Sequence, residues 1–142
     1  MAALFFTACD PDSGPGSPKG AYEKGVLILN EGNFQKGNST VSFYDDDGKT
    51  VVSDIFDAVN SRPLGDVAQS MAAHNNRAYL VINNSNKIEV VDINTFQSLG
   101  TISGLAMPRY FAAANNKGYV TEWVNYGSKG RVSVVDLSTN TV

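Results

Sequence analysis

Short apolar-polar alternations, broken every few residues by Asn, Gly and Asp, run through most of this chain. Lys87-Ile88-Glu89-Val90-Val91-Asp92 recurs as Arg131-Val132-Ser133-Val134-Val135-Asp136, and Thr40-Val41-Ser42-Phe43-Tyr44-Asp45 is a looser third copy. The closing aspartates Asp45, Asp92 and Asp136 fall 47 and 44 residues apart. A second marker runs in phase: Ala73-His74-Asn75-Asn76-Arg77-Ala78-Tyr79 returns 40 residues later as Ala113-Ala114-Asn115-Asn116-Lys117-Gly118-Tyr119. Period-2 alternation predicts strands, and a sequence period in the forties is the mark of a repeated sheet unit.

The strands expected in the first unit are Val26–Leu29, Val41–Tyr44 and, after a hairpin at Asp45–Lys49, Val51–Phe56. The second unit supplies Val67–Ala73, Ala78–Ile82, Ile88–Ile93 and Gln97–Ile102. The third supplies Tyr110–Ala114, Tyr119–Trp123 and Arg131–Leu137, with a fourth strand due where the sequence ends at Asn140-Thr141-Val142. Asn75-Asn76 is a natural hairpin turn, because Asn tolerates the positive φ such turns need. Helical signal is weak, with one turn at most over Asp57–Asn60. The fold class this predicts is all-β, with four-stranded antiparallel β-propeller blades, two to three of them in this chain. A β-sandwich would explain the strands but not two markers repeating in phase. Fewer units than a ring needs implies that the C-terminal blades are missing.

The 142 residues carry a formal charge of −3, and their eleven Lys and Arg are scattered. A nucleic-acid surface needs clustered cations, so that partner is not expected. No apolar run is long enough to span a membrane. Cys9, the only cysteine, excludes a disulfide framework and a cysteine-based zinc site. It ends the run Leu4-Phe5-Phe6-Thr7-Ala8, which resembles a bacterial lipobox, and residues 1–9 then read as a truncated lipoprotein signal. Lipidation of Cys9 would anchor the protein to a membrane without a spanning helix. Residues 10–24 read as a flexible Gly- and Pro-rich tether, and Asp10 and Asp12 resemble the acidic signal that exports lipoproteins to the cell surface. The folded region is 25–142.

Ile28-Leu29-Asn30-Glu31-Gly32-Asn33-Phe34, with Leu64-Gly65-Asp66-Val67 and Ala78-Tyr79-Leu80-Val81-Ile82-Asn83, resembles the YncE-like surface lipoproteins of Bacteroidetes. That resemblance covers Gly25 to Val142 as the N-terminal blades. It implies a seven-bladed propeller when complete, in the outer membrane at the cell surface. Some members capture cobalamin and pass it to a TonB-dependent transporter, while others have no assigned ligand. The chain departs from the family in lacking the remaining blades.

In a propeller, the loops between second and third strands open on the same face as the inter-blade connections. The residues expected there are Asn30, Glu31, Asn33 and Phe34 from the first unit, and Asn83, Asn84, Ser85 and Asn86 from the second. Glu122, Trp123, Asn125 and Tyr126 come from the third, with Arg62, Arg109 and Tyr110 from the connections. Aromatic faces and amides suit a polar, planar small ligand. Trp123 has a rival role as a wedge between blades, and turn asparagines commonly serve the backbone. Asp45-Asp46-Asp47-Gly48 lacks the closing Glu of a calcium loop, since Phe56 stands at that position. Asp92 and Asp136 are expected to bond turn amides, and His74 to sit exposed before its turn.

One histidine and one cysteine at a lipobox leave no nucleophilic triad to argue. The expectation is therefore a non-enzymatic surface lipoprotein that binds a small ligand, with no resident cofactor, beside an outer-membrane transporter. The alternatives are a metal-dependent propeller hydrolase or lactonase, for which Asn30, Glu31 and Glu122 are the candidate ligands, and a protein-interaction platform.

Overall fold

A computed structural model describes residues 19–127 and 129–142. The leader ending at Cys9 and the tether up to Pro18 lie outside the described residues. Among those described, no helix is long and apolar enough to cross a membrane.

The described residues are all-β apart from one short helix. Its elements are β1 (Gly25–Asn30), β2 (Thr40–Asp45), β3 (Thr50–Val52), α1 (Ile55–Asn60), β4 (Ala68–His74), β5 (Arg77–Ile82), β6 (Lys87–Asp92), β7 (Ser98–Ile102), β8 (Pro108–Ala114), β9 (Lys117–Glu122) and β10 (Arg131–Asp136). They form three antiparallel, blade-like sheets, ordered β1-β2-β3, β4-β5-β6-β7 and β8-β9-β10. Registers superpose the units: Gly25 pairs with Asp45, Arg77 with Asp92 and Lys117 with Asp136. So β1, β5 and β9 are equivalent strands, and among the described residues the first sheet has no counterpart of the inner strands β4 and β8. A cleft of about 350 Å³ lies beside that open edge, lined by Leu27, Met71, Ala73 and Ile93 among others.

Turn chemistry follows the sequence. Asn75 and Asn76 have φ of 47° and 61°, and Asn115 and Asn116 have 49° and 60°. Both pairs make two-residue hairpin turns with positive φ at each centre, which match the strand twist. The aspartates close the turn after each third strand. Asp92 Oδ1 accepts from the N–H groups of Asn94 and Thr95, and Asp136 Oδ1 from Ser138 N–H. Those bonds hold both carboxyls below the usual range, chiefly through Thr95 for Asp92 and the Ser138 side chain for Asp136.

The strand expected over Val51–Phe56 is not formed as such. β3 stops at Val52, and Ile55 starts a six-residue helix whose N-cap Asp54 accepts from Asp57 N–H at 3.4 Å. Ile55 and Phe56 are both fully buried. Alternation in a strand would turn one of two neighbours outward, so burying both favours the helical step.

Two cores flank the middle sheet. Val41, Phe43, Ile55 and Phe56 pack on Leu80, Ile82 and Val91. On the other side Tyr79, Val81, Ile88 and Val90 pack on Phe111, Val120, Val135 and Leu137. Covered on both faces, β5 reads as a nearly unbroken apolar run, whereas β9 alternates. Tyr79 stacks on Phe111 with centroids 4.3 Å apart. That approach needs Gly118, where an added Cβ would stand 2.5 Å from the Phe111 ring. On the far face of the third sheet, Tyr119, Val132 and Val134 are exposed at the places that Tyr79, Ile88 and Val90 occupy in the second.

Candidate functional site

The candidate face lies where β4 and β8 begin and where β5 and β9 turn into β6 and β10. The sequence places fifteen residues there, and the structure divides them by what their side chains already touch.

The amides of the second unit hold inter-blade connections. Asn83 is buried and donates through Nδ2 to Pro108 O at 2.9 Å. Asn84 Nδ2 reaches Asp66 Oδ2 at 2.5 Å, Ser85 Oγ accepts from Asp66 N–H at 2.9 Å, and Asn86 Oδ1 accepts from Met107 N–H at 2.7 Å. Asp66 also accepts from Gln35 N–H at 2.9 Å, so it links the loop after β1 to the loop after β5. The Asn84 hydrogen bond leads the causes that lower its pKa, with backbone amides of Gly37 and Gln35 behind it. In the first unit, Asn30 Nδ2 donates across the sheet to Thr40 Oγ1 and Ser42 Oγ, both at 3.0 Å. Glu31 O accepts from Ser39 Oγ and Ala68 N–H. Asn33 N–H donates to Asn38 Oδ1 at 2.8 Å, and Phe34 is exposed.

Two carboxylates are built into blade contacts. Glu89 is buried and takes a bidentate pair from Arg62 at 2.9 Å, Lys87 Nζ at 2.6 Å and Thr101 Oγ1 at 3.1 Å. Arg62 also donates to Ser98 Oγ on β7 and lies 4.8 Å from the Phe56 ring centroid, which places it by the outermost strand. It does not join the cluster described next. Glu122, also buried, accepts from Arg131 Nε at 2.9 Å and Nη2 at 3.1 Å, from Ser133 Oγ and from Ala106 N–H. Burial pushes both carboxyls up, but the hydrogen bonds and cations outweigh it and leave both below the usual range. Apart from Lys87, two residues before Glu89 on β6, the partners lie on another strand or connection, so neither clamp shows in the sequence.

Four of the expected residues come together. The Arg109 guanidinium carbon sits 3.9 Å from the Trp123 ring centroid and 5.9 Å from that of Tyr110. Trp123 and Tyr126 are tilted rings 5.8 Å apart. Tyr126 is 74% exposed, Tyr110 56% and Trp123 42%. The guanidinium over the indole face is a cation–π contact, and it fixes both planes. A family model described as a domain of unknown function, DUF5074, matches residues 24–142.

The chain belongs to the DUF5074 family.

Every residue of the face lies inside the matched DUF5074 segment. No curated protein matches the chain. Among the described residues, no three His, Cys, Asp or Glu side chains gather as a metal site. The chemistry this DUF5074 face offers is a stacking platform with one guanidinium on a rigid strand end.

Proposed function

We propose that this chain is part of a YncE-like, cell-surface lipoprotein of the Bacteroidetes type that binds a small planar ligand without transforming it. The Arg109–Trp123 stack, with Tyr110 and Tyr126 beside it, is the observation that carries this reading. Exposed rings backed by strands give contact area at low entropic cost, and a guanidinium orients a polar substituent. A corrinoid such as cobalamin is the first candidate ligand, on the sequence resemblance, and a TonB-dependent transporter of the outer membrane is the partner it would supply. Calorimetric titration with corrinoids, haem and siderophores tests the binding function. One member of the panel should give a saturable isotherm that a chelator leaves unchanged. Turnover of a lactone or ester that stops on chelation would instead establish an enzyme.

Anchoring is a separate part of the reading and rests on Cys9 in its lipobox-like run. Expressed behind an intact signal peptide, the wild type should partition with membranes and Cys9→Ala should appear in the soluble fraction. Membrane attachment of the Cys9→Ala protein would remove the lipid anchor from the account.

A further inference from the structure

Both inner strands start with the same irregularity. Val67 and Met107 stand in the left-handed region, with φ of 60° and 46°. For a β-branched residue such as Val67 that conformation is strained and persists only where the surroundings hold it. They do: Val67 O accepts from Asn83 N–H at 2.7 Å, and Met107 O from Trp123 N–H at 3.2 Å. One residue later the ladder slips. Ala68 pairs with Ile82 but Ser70 with Val81, and Pro108 pairs with Glu122 but Tyr110 with Thr121.

The extra residues of these two bulges are Gln69 and Arg109, and a bulge takes its side chain out of the regular alternation. The bulges touch, since Ser70 Oγ donates to Arg109 O at 2.7 Å. Arg109 has rings around it but no carboxylate partner among the described residues. The half-buried Gln69 side chain makes no hydrogen bond among them. The alternation of polar and apolar positions does not reveal Gln69, but the 40-residue offset between the units makes it the counterpart of Arg109.

We infer that Gln69 and Arg109 form an oxyanion-recognition end of the ligand face, taking a carboxylate or phosphate group carried by a planar ligand. This rests on the reading of the Trp123 face as a ligand surface. A guanidinium donates two parallel bonds to an oxyanion and the Gln amide adds a third donor, while Trp123 and Tyr126 take the ring.

Trp123 is the only tryptophan, so its emission reports on a ligand at Arg109. The probes are benzoate, which has ring and oxyanion, benzyl alcohol, which has the ring alone, and inorganic phosphate, which has the oxyanion alone. Benzoate should change the emission saturably, with phosphate weaker and benzyl alcohol weaker still. Gln69→Ala should weaken benzoate about fivefold and Arg109→Ala at least tenfold, with Arg109→Lys between wild type and Arg109→Ala. Should Arg109→Ala fail to fold, Gln69→Ala and Arg109→Lys carry the test. Equal binding of benzoate and benzyl alcohol, or benzoate affinity unchanged in Gln69→Ala and Arg109→Lys, would overturn the oxyanion end and leave the stacking face standing. Emission indifferent to all three probes would remove both.

Discussion

Arg131→Ala should be among the most destabilising single changes to the chain at neutral pH, because it leaves the buried Glu122 carboxylate without its cation. Arg131 supplies two of the hydrogen bonds to Glu122, whose side chain is fully buried, while Arg131 itself remains half exposed. The remaining donors, Ser133 Oγ and Ala106 N–H, carry no charge. Glu122→Gln should cost less, because it removes the buried charge and keeps an acceptor for those donors.

The pH dependence separates the two proteins. In the wild type the Glu122 carboxyl is held below its usual 4.5, so its contribution is complete above about that pH and is lost as pH falls through the lowered native value. Without Arg131, the desolvation of Glu122 is opposed only by Ser133 Oγ and Ala106 N–H, so its native pKa should lie higher than in the wild type. The variant then gains less stability than the wild type as pH rises through that window. Urea unfolding between pH 4 and pH 7 should therefore show the gap between wild type and Arg131→Ala widening as pH rises. A gap that stays constant with pH would mean that Glu122 does not depend on Arg131 for its charge.

Most of the fold was legible because sheet geometry repeats in sequence. The aspartates at 45, 92 and 136 sit at equivalent registers, and the two Asn-Asn turns adopt the positive φ that their composition implies. Of helix α1 only the turn over Asp57–Asn60 was legible; its start was not, because a single buried Ile-Phe step carries neither a period of two nor one of 3.6. Glu122 was expected on the ligand face, yet the register that sets it opposite Arg131 turns it into the contact between sheets. Arg62 is likewise held by a partner that its own neighbourhood in sequence does not show, Glu89, 27 residues away on a strand of the next sheet. Turn asparagines 83, 84 and 86 looked available because a sequence shows their polarity and not the connections they hold. The four whose side chains lie together, Arg109 with Tyr110, Trp123 and Tyr126, belong to the third sheet at one strand end and the loop beside it.

Trp123→Ala should weaken ligand binding by about tenfold to a hundredfold. Stacking on an aromatic face together with its burial is worth roughly 1–3 kcal/mol, at about 1.4 kcal/mol per decade of affinity. The competing role has a structural basis. Trp123 N–H bonds Met107 O just as Asn83 N–H bonds Val67 O, and Asn83 reaches onward to the following sheet at Pro108. A tryptophan at that position in the third sheet is placed either to receive a ligand or to wedge against a neighbouring blade. His74, before the turn at the opposite end of β4, makes a suitable control, and His74→Ala should leave binding unchanged. The measurement that decides is affinity and melting temperature on the same Trp123→Ala protein, by calorimetry with the ligand the panel identifies and by thermal unfolding without it. Affinity should fall by at least tenfold with the melting temperature nearly unchanged. A lowered melting temperature with affinity intact would make Trp123 a blade wedge and contradict its place on a ligand face.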